Sequence, residues 1–178
     1  LVALLASAEM DGQAGMGHIR WATHGRPSEK NAHPHRAGGV VLVHNGIVEN
    51  YRELKEGLKK KGVAFQSDTD TEVVAHLIDQ EVREGHSPDA ALRAALKQIR
   101  GSYALGILFD SEPETLYAAR KESPLVVGQG EGESFFASDV PALLPFTRRC
   151  IFMNDGEIAK LEKSGIVITD LEGQTLDK

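Results

Sequence analysis

Three short stretches of this sequence crowd together side chains that can bind ions or do chemistry. In the first, Arg20-Trp21-Ala22-Thr23-His24-Gly25 runs on to Asn31-Ala32-His33-Pro34-His35. A cation, an aromatic ring, a hydroxyl and several imidazoles stand there in a turn-rich stretch with little that could build a core. Such loops on a rigid scaffold commonly form binding sites; the plainer alternative is a solvated surface loop. His24, His33 and His35 also raise a metal reading, because imidazole is a common ligand. Against it, Glu29 is the one acidic or thiol side chain nearby, and metal sites want further ligands and partners that fix them.

The second stretch is His44-Asn45-Gly46, at the end of the apolar run from Val40. A glycine lets backbone approach a ligand closely, and the neighbouring carboxamide supplies a donor. Those are the parts of an oxyanion hole. The alternative is a plain Asn-Gly turn that ends a strand over Val40–His44. The third stretch, Ser67-Asp68-Thr69-Asp70-Thr71-Glu72, opens a helix. Capping accounts for one or two of these oxygen-bearing side chains. It does not require both aspartates, and a spare carboxylate can pair with a ligand's ammonium group.

The elements that must position these groups are read from periodicity. The first 16 or so residues read as a helix end and a Gly-containing loop, and His18–Ala22 as a short strand. Apolar spacing predicts helices over 50–61, 71–84 and from the Ser87-Pro88 cap onward, with Gly62 and Gly85 as stops. From Gly101 the pattern changes to short strands, with Asn154-Asp155-Gly156 resembling a hairpin loop. Helices grouped before strands predict an α+β layered domain. The 178 residues suit one domain, and 20 basic against 26 acidic residues give a net charge of −6. Spread basic residues argue against a nucleic-acid partner, and no apolar run has the ~20 residues of a membrane span. A single cysteine, Cys150, excludes an internal disulfide and fits a cytoplasmic setting.

In order and spacing these motifs resemble the glutaminase domain of the glucosamine-6-phosphate synthases (glutamine–fructose-6-phosphate aminotransferases). The resemblance rests on Arg20–Gly25, Asn31–His35, His44-Asn45-Gly46-Ile47-Val48-Glu49-Asn50 and Thr69–Glu72. It continues at Arg100-Gly101-Ser102-Tyr103-Ala104, Ser123-Pro124-Leu125-Val126, Ala137-Ser138-Asp139 and Thr147-Arg148-Arg149. It spans nearly the whole chain and implies a type 2 glutamine amidotransferase with the four-layer αββα N-terminal-nucleophile hydrolase fold. By that resemblance Arg20 grips the α-carboxylate of glutamine, with Trp21, Thr23, His24 and His33 completing that pocket. Asp70 takes the α-ammonium group, and Asn45 and the Gly46 N–H form the oxyanion hole. No cofactor or metal is implied. The implied partners are L-glutamine and the sugar-isomerase domains of the same parent chain, which forms a homodimer.

The family's nucleophile is a cysteine at the chain's N-terminus, with its own α-amino group as base. Here Leu1 opens the sequence, and the family's first strand and the helix after it have no counterpart. The expectation is a glutaminase domain over residues 1–178, N-terminally incomplete, without its nucleophile and without the sugar-isomerase domains. Cys150 reads as a buried structural thiol in a strand. Two readings stay open: part of an active amidotransferase that makes glutamate and ammonia through a cysteinyl thioester, or an inactive glutamine-binding or regulatory module.

Overall fold

The computed structural model describes residues 12–20 and 24–178. Two antiparallel sheets and three α-helices are the main elements of the described part. The larger sheet takes strands in the order β1 (His35–Ala37), β2 (Val40–Val48), β3 (Gly101–Phe109), β4 (Glu112–Lys121), β8 (Ile158–Glu162) and β9 (Gly165–Thr169). The smaller sheet has β5 (Val126–Gln129) between β6 (Ser134–Ala137) and β7 (Cys150–Phe152). Helices α1 (Tyr51–Lys60), α2 (Thr71–Arg83) and α3 (Pro88–Leu96) intervene between β2 and β3.

Alternation along the strands decides the layering. One face of the large sheet sends Leu42, Val48, Leu105, Ile107 and Tyr117 against Val74, Ile78 and Leu92 of the helices. The other sends Ala104, Ala118, Ala159 and Leu161 against Val127 of the small sheet and Leu125 just before it. The stack is helices, sheet, sheet, in agreement with the α+β expectation; among the described residues helices cover one outer face. Gly106 makes the sheet-to-sheet contact close, because a Cβ there would lie 2.3 Å from the Phe136 ring.

The helix stops are where the glycines place them. Gly62 (φ +87) donates to Lys59 O and Val63 to Leu58 O, a Schellman closure; Gly85 (φ +96) and His86 repeat it on Val82 and Glu81. Ser87 Oγ accepts from Ala90 N at 3.4 Å, so the third helix is capped as expected.

Four expectations need correction. The strand from Val40 does not turn at Asn45-Gly46. It continues to Val48, with Asn45 opposite Ala104 and Gly46 opposite Tyr103. Gly46 can do this at φ +134, close against Ser102, where a Cβ would meet Ser102 O at 2.3 Å. The strand expected over His18–Ala22 does not form at residues 18–20, whose backbone joins no ladder; the His18 side chain bonds to Asn45 and that of Arg20 to the Gly25 carbonyl. Asn154-Asp155-Gly156 is no hairpin loop: β7 pairs with β5 and β8 with β4, so the turn carries the chain between sheets. Cys150 is half-buried on β7, not buried. The helix end expected at the start of the chain and part of the strand expected at 18–22 lie outside the described residues.

Candidate functional site

The candidate side chains converge at the end of β2 where the first turn of α2 abuts it. A cleft of about 380 Å³ is lined there by His18, Arg20, His33, Asn45, Gly46 and Asp70, among others. That is near the lower end of the ~300–1,000 Å³ common for small-molecule sites. The ladder to β3 fixes the backbone of Asn45 and Gly46, and helix α2 fixes Asp70. Loop residues 12–20 and 24–34 bring the rest.

The turn before α2 is bonded throughout. The Glu72 carboxylate accepts from Gln66 N and Ser67 N (both 2.7 Å) and from Ser67 Oγ (2.6 Å). Thr69 Oγ1 accepts from Glu72 N at 3.3 Å. Burial alone would raise the Glu72 carboxyl, but these donors outweigh it and hold it below the usual carboxylate range. Capping therefore uses Thr69 and Glu72 and leaves Asp70 for another task. Asp70 is 3% exposed and makes no side-chain cap. Its Oδ2 accepts from Val48 N at 2.9 Å, while Oδ1 lies 3.8 Å from His24 Nδ1 at the cleft.

Three histidines, His33, His35 and His44, stand near this carboxylate, and the protons of two of them can be placed. His44 Nε2 faces the Ser102 carbonyl at 3.5 Å, and a carbonyl can only accept, so Nε2 carries the proton. His44 Nδ1 then accepts from the Thr71 hydroxyl at 3.1 Å. With its proton committed, Thr71 Oγ1 accepts from His33 Nε2, also at 3.1 Å. The His33 Nδ1 lone pair is left buried with no protein partner among the described residues. His35 Nε2 bonds Thr69 Oγ1 at 3.0 Å. Burial keeps this group uncharged: it lowers His33 from 6.5 to about 3, helped by His18 and His35, and pushes His35 and His44 down as well. With His33, His35 and His44 uncharged, the Asp70 carboxylate and the Arg20 guanidinium are the charges that line the cleft.

The loop is held more loosely. The Arg20 guanidinium donates to the carbonyls of His24 and Gly25, and five donors leave others over. His24 packs on the Tyr51 ring at the start of α1, centroids 4.8 Å apart. Asn31 anchors the loop to the α2 turn: its side chain accepts from Asp68 N and donates to Arg26 O, each at 2.9 Å.

Of the residues expected at the site, Arg20, His33, Asn45, Gly46 and Asp70 line one cleft, and His24 stands beside Asp70. Trp21 and Thr23 lie outside the described residues. Among the described residues, no group of three His, Cys, Asp or Glu side chains is placed to hold a metal ion. Sequence reasoning missed His18, whose Nε2 lies 2.7 Å from Asn45 Oδ1, and the hydroxyl of Thr71, read as part of a helix start. The available signal was His18 itself, an imidazole two residues before the key arginine.

Residues 18–145 match the family model of the glutamine amidotransferase domain. The chain is 54% identical over 177 residues to a glutamine–fructose-6-phosphate aminotransferase (isomerizing) of Thermococcus kodakarensis. That match takes in 98% of this chain and 29% of the relative. A relative of the same name from Thermus thermophilus is 52% identical, with 100% and 29% covered. The chain thus spans about 29% of the length of these curated relatives. Among solved structures, it resembles the glutamine phosphoribosylpyrophosphate amidotransferase of B. subtilis. The TM-score is 0.71 and the identity 27%, over 89% of this chain and 35% of that one.

Proposed function

This chain belongs to the glutamine amidotransferase domain family, and from that premise we propose that it is the glutamine-hydrolysing domain of a glutamine–fructose-6-phosphate aminotransferase. The observation that carries the reading is one cleft that offers a match for each end of glutamine. Arg20 supplies a guanidinium fork for the α-carboxylate, with His24 and His33 nearby; Trp21 and Thr23 are assigned to the same pocket. Asp70 supplies a buried negative charge for the α-ammonium group. Asn45 and the Gly46 N–H supply donors for the oxygen of the side-chain amide. Reading both charged ends selects the free amino acid over a peptide amide.

The chemistry proposed is acyl transfer. A cysteine thiolate attacks the glutamine amide carbon, and its oxygen takes up the negative charge facing Asn45 and Gly46. Collapse breaks the C–N bond, ammonia leaves with a proton, and water then hydrolyses the γ-glutamyl thioester to glutamate and thiol. Cys150 does not line the cleft and sits in the small sheet, so the reading takes its nucleophile from outside these 178 residues. Residues 1–178 are assigned to this one domain. Sugar-isomerase domains of the parent protein would spend the ammonia on fructose 6-phosphate, in a cytoplasmic homodimer.

The test uses the full-length protein and glutamine. Release of glutamate and ammonia is expected, with single labelling by a glutamine-analogue electrophile. Because charge-assisted bonds contribute about 2 kcal/mol, Asp70→Asn should raise KM for glutamine roughly 30-fold and change kcat little. An unchanged KM would remove Asp70 from the ammonium site. Binding of glutamine without any hydrolysis would favour the inactive binding module instead.

A further inference from the structure

We infer that His18 is a positioning residue that holds the Asn45 carboxamide with its NH2 group turned to the cleft, the orientation an oxyanion donor needs. The inference rests on the glutamine-hydrolysing reading above and assigns a role to a residue that reading leaves idle.

The ladder to β3 fixes the Asn45 backbone opposite Ala104, but it does not fix the last side-chain torsion. A terminal amide torsion has two broad, nearly equivalent settings, related by exchange of oxygen and nitrogen. One points the NH2 donor at the substrate; the other points the carbonyl oxygen there and would repel a developing oxyanion. Asn45 is exposed, so packing does not choose between them. Among the described residues its side chain has one hydrogen-bond partner, His18 Nε2, at 2.7 Å from Oδ1.

A carbonyl oxygen accepts only, so His18 must donate from Nε2–H, and reversing the amide would set two donors face to face. The other nitrogen agrees with this tautomer. His18 Nδ1 is buried with no protein partner among the described residues. A bare lone pair is tolerable there, whereas an N–H would be left unsatisfied. The imidazole is itself held in place: it packs against His33 with the rings tilted and their centroids 4.2 Å apart, and His33 is tied to the Thr71 hydroxyl. His18 and Asn45 also border a second cleft, lined by Val43, Leu105, Leu125 and Phe136. The pair therefore stands between the two clefts.

A double-mutant cycle in the full-length protein tests the assignment, with glutaminase kcat and KM as readouts. Losing one oxyanion donor typically costs about 100-fold or more in kcat, so losing only its alignment should cost roughly tenfold in His18→Ala, with KM within about twofold. His18→Gln, which keeps an N–H donor, should recover most of that loss. In the Asn45→Ala background, removing His18 should cost less than about twofold, since nothing is left to orient. An equal loss in both backgrounds, a change confined to KM, or no recovery in His18→Gln would each overturn the positioning role. A parent protein that fails to hydrolyse glutamine at all would instead overturn the functional reading, and this inference with it.

Discussion

The turn Ser67–Glu72 and the loop around Arg20 and His24 face each other across the cleft and are built on opposite terms. In the turn, the Glu72 carboxylate has three donors, Thr69 meets both Glu72 N and His35, and Asp70 meets Val48 N. In the loop, Arg20 rests on two carbonyls with donors to spare, and the Nδ1 atoms of His18 and His24 are buried without a hydrogen-bond partner among the described residues. A polar group that already has its partners stabilises the fold and is insensitive to ligand. One without them gains by meeting a ligand that supplies them. Asp70 apart, the turn is a floor, and on the proposed function the loop meets the carboxylate end of the substrate.

The sharpest way to break this contrast is to damage the floor. Glu72→Ala strands two backbone N–H groups and a buried hydroxyl, and should cost on the order of 3 kcal/mol in urea denaturation. A variant as stable as the parent would mean the turn is not self-supporting. Arg20→Lys should do the reverse. Its unfolding free energy should stay within about 0.5 kcal/mol of the parent, while KM for glutamine rises roughly tenfold, because an ammonium cannot fork onto a carboxylate. A large loss of stability would place Arg20 with the floor.

The smallest expected effect is the share of acid sensitivity owed to His33, which bonds to the floor. Its folded value is lowered from 6.5 to about 3, and His35 and His44 move in the same direction. The unfolded chain therefore takes up protons first as pH falls. The stability these groups contribute is complete above about pH 6.5 and declines from there towards pH 3. Urea midpoints should drop between pH 7.5 and 5.5, and the drop should be shallower in His33→Gln. An identical drop in the variant would show that His33 is charged or solvated in the folded state.

How far the sequence could be read follows from which interactions are local. The helix stops at Gly62 and Gly85 and the Ser87 cap are settled within a few residues, and so were visible in the sequence. The run through Asn45-Gly46 was not, because a long-range partner decides it: an Asn-Gly pair takes a turn unless another strand holds it, and here Ala104 and Tyr103 do. The crossing at Asn154–Gly156 failed for the same reason, since strand partners remote in sequence decide which sheet a strand joins. At the site, Arg20, Asn45, Gly46 and Asp70 were found from residue type and motif order. Thr71 and His18 act through neighbours 27 or more positions away in the sequence, and only folding brings those neighbours within reach.

The unbroken course of β2 also bears on how the domain could be redesigned. Asn45 and Gly46 are rungs of a ladder, and Gly46 stands where no other side chain fits against Ser102. Moving either donor by an ångström would mean unzipping β2 from β3 in the middle of the domain. The loop carries no such penalty, because its anchor to the scaffold at Asn31 is separate from the groups facing the cleft. An engineer seeking a different amide donor would thus keep the strand and vary the loop. Under that division of labour, and on the proposed function, the two donors stay with the sheet, while the loop around Arg20 and His24 can vary what it offers the carboxylate end of a substrate, provided His18 is kept.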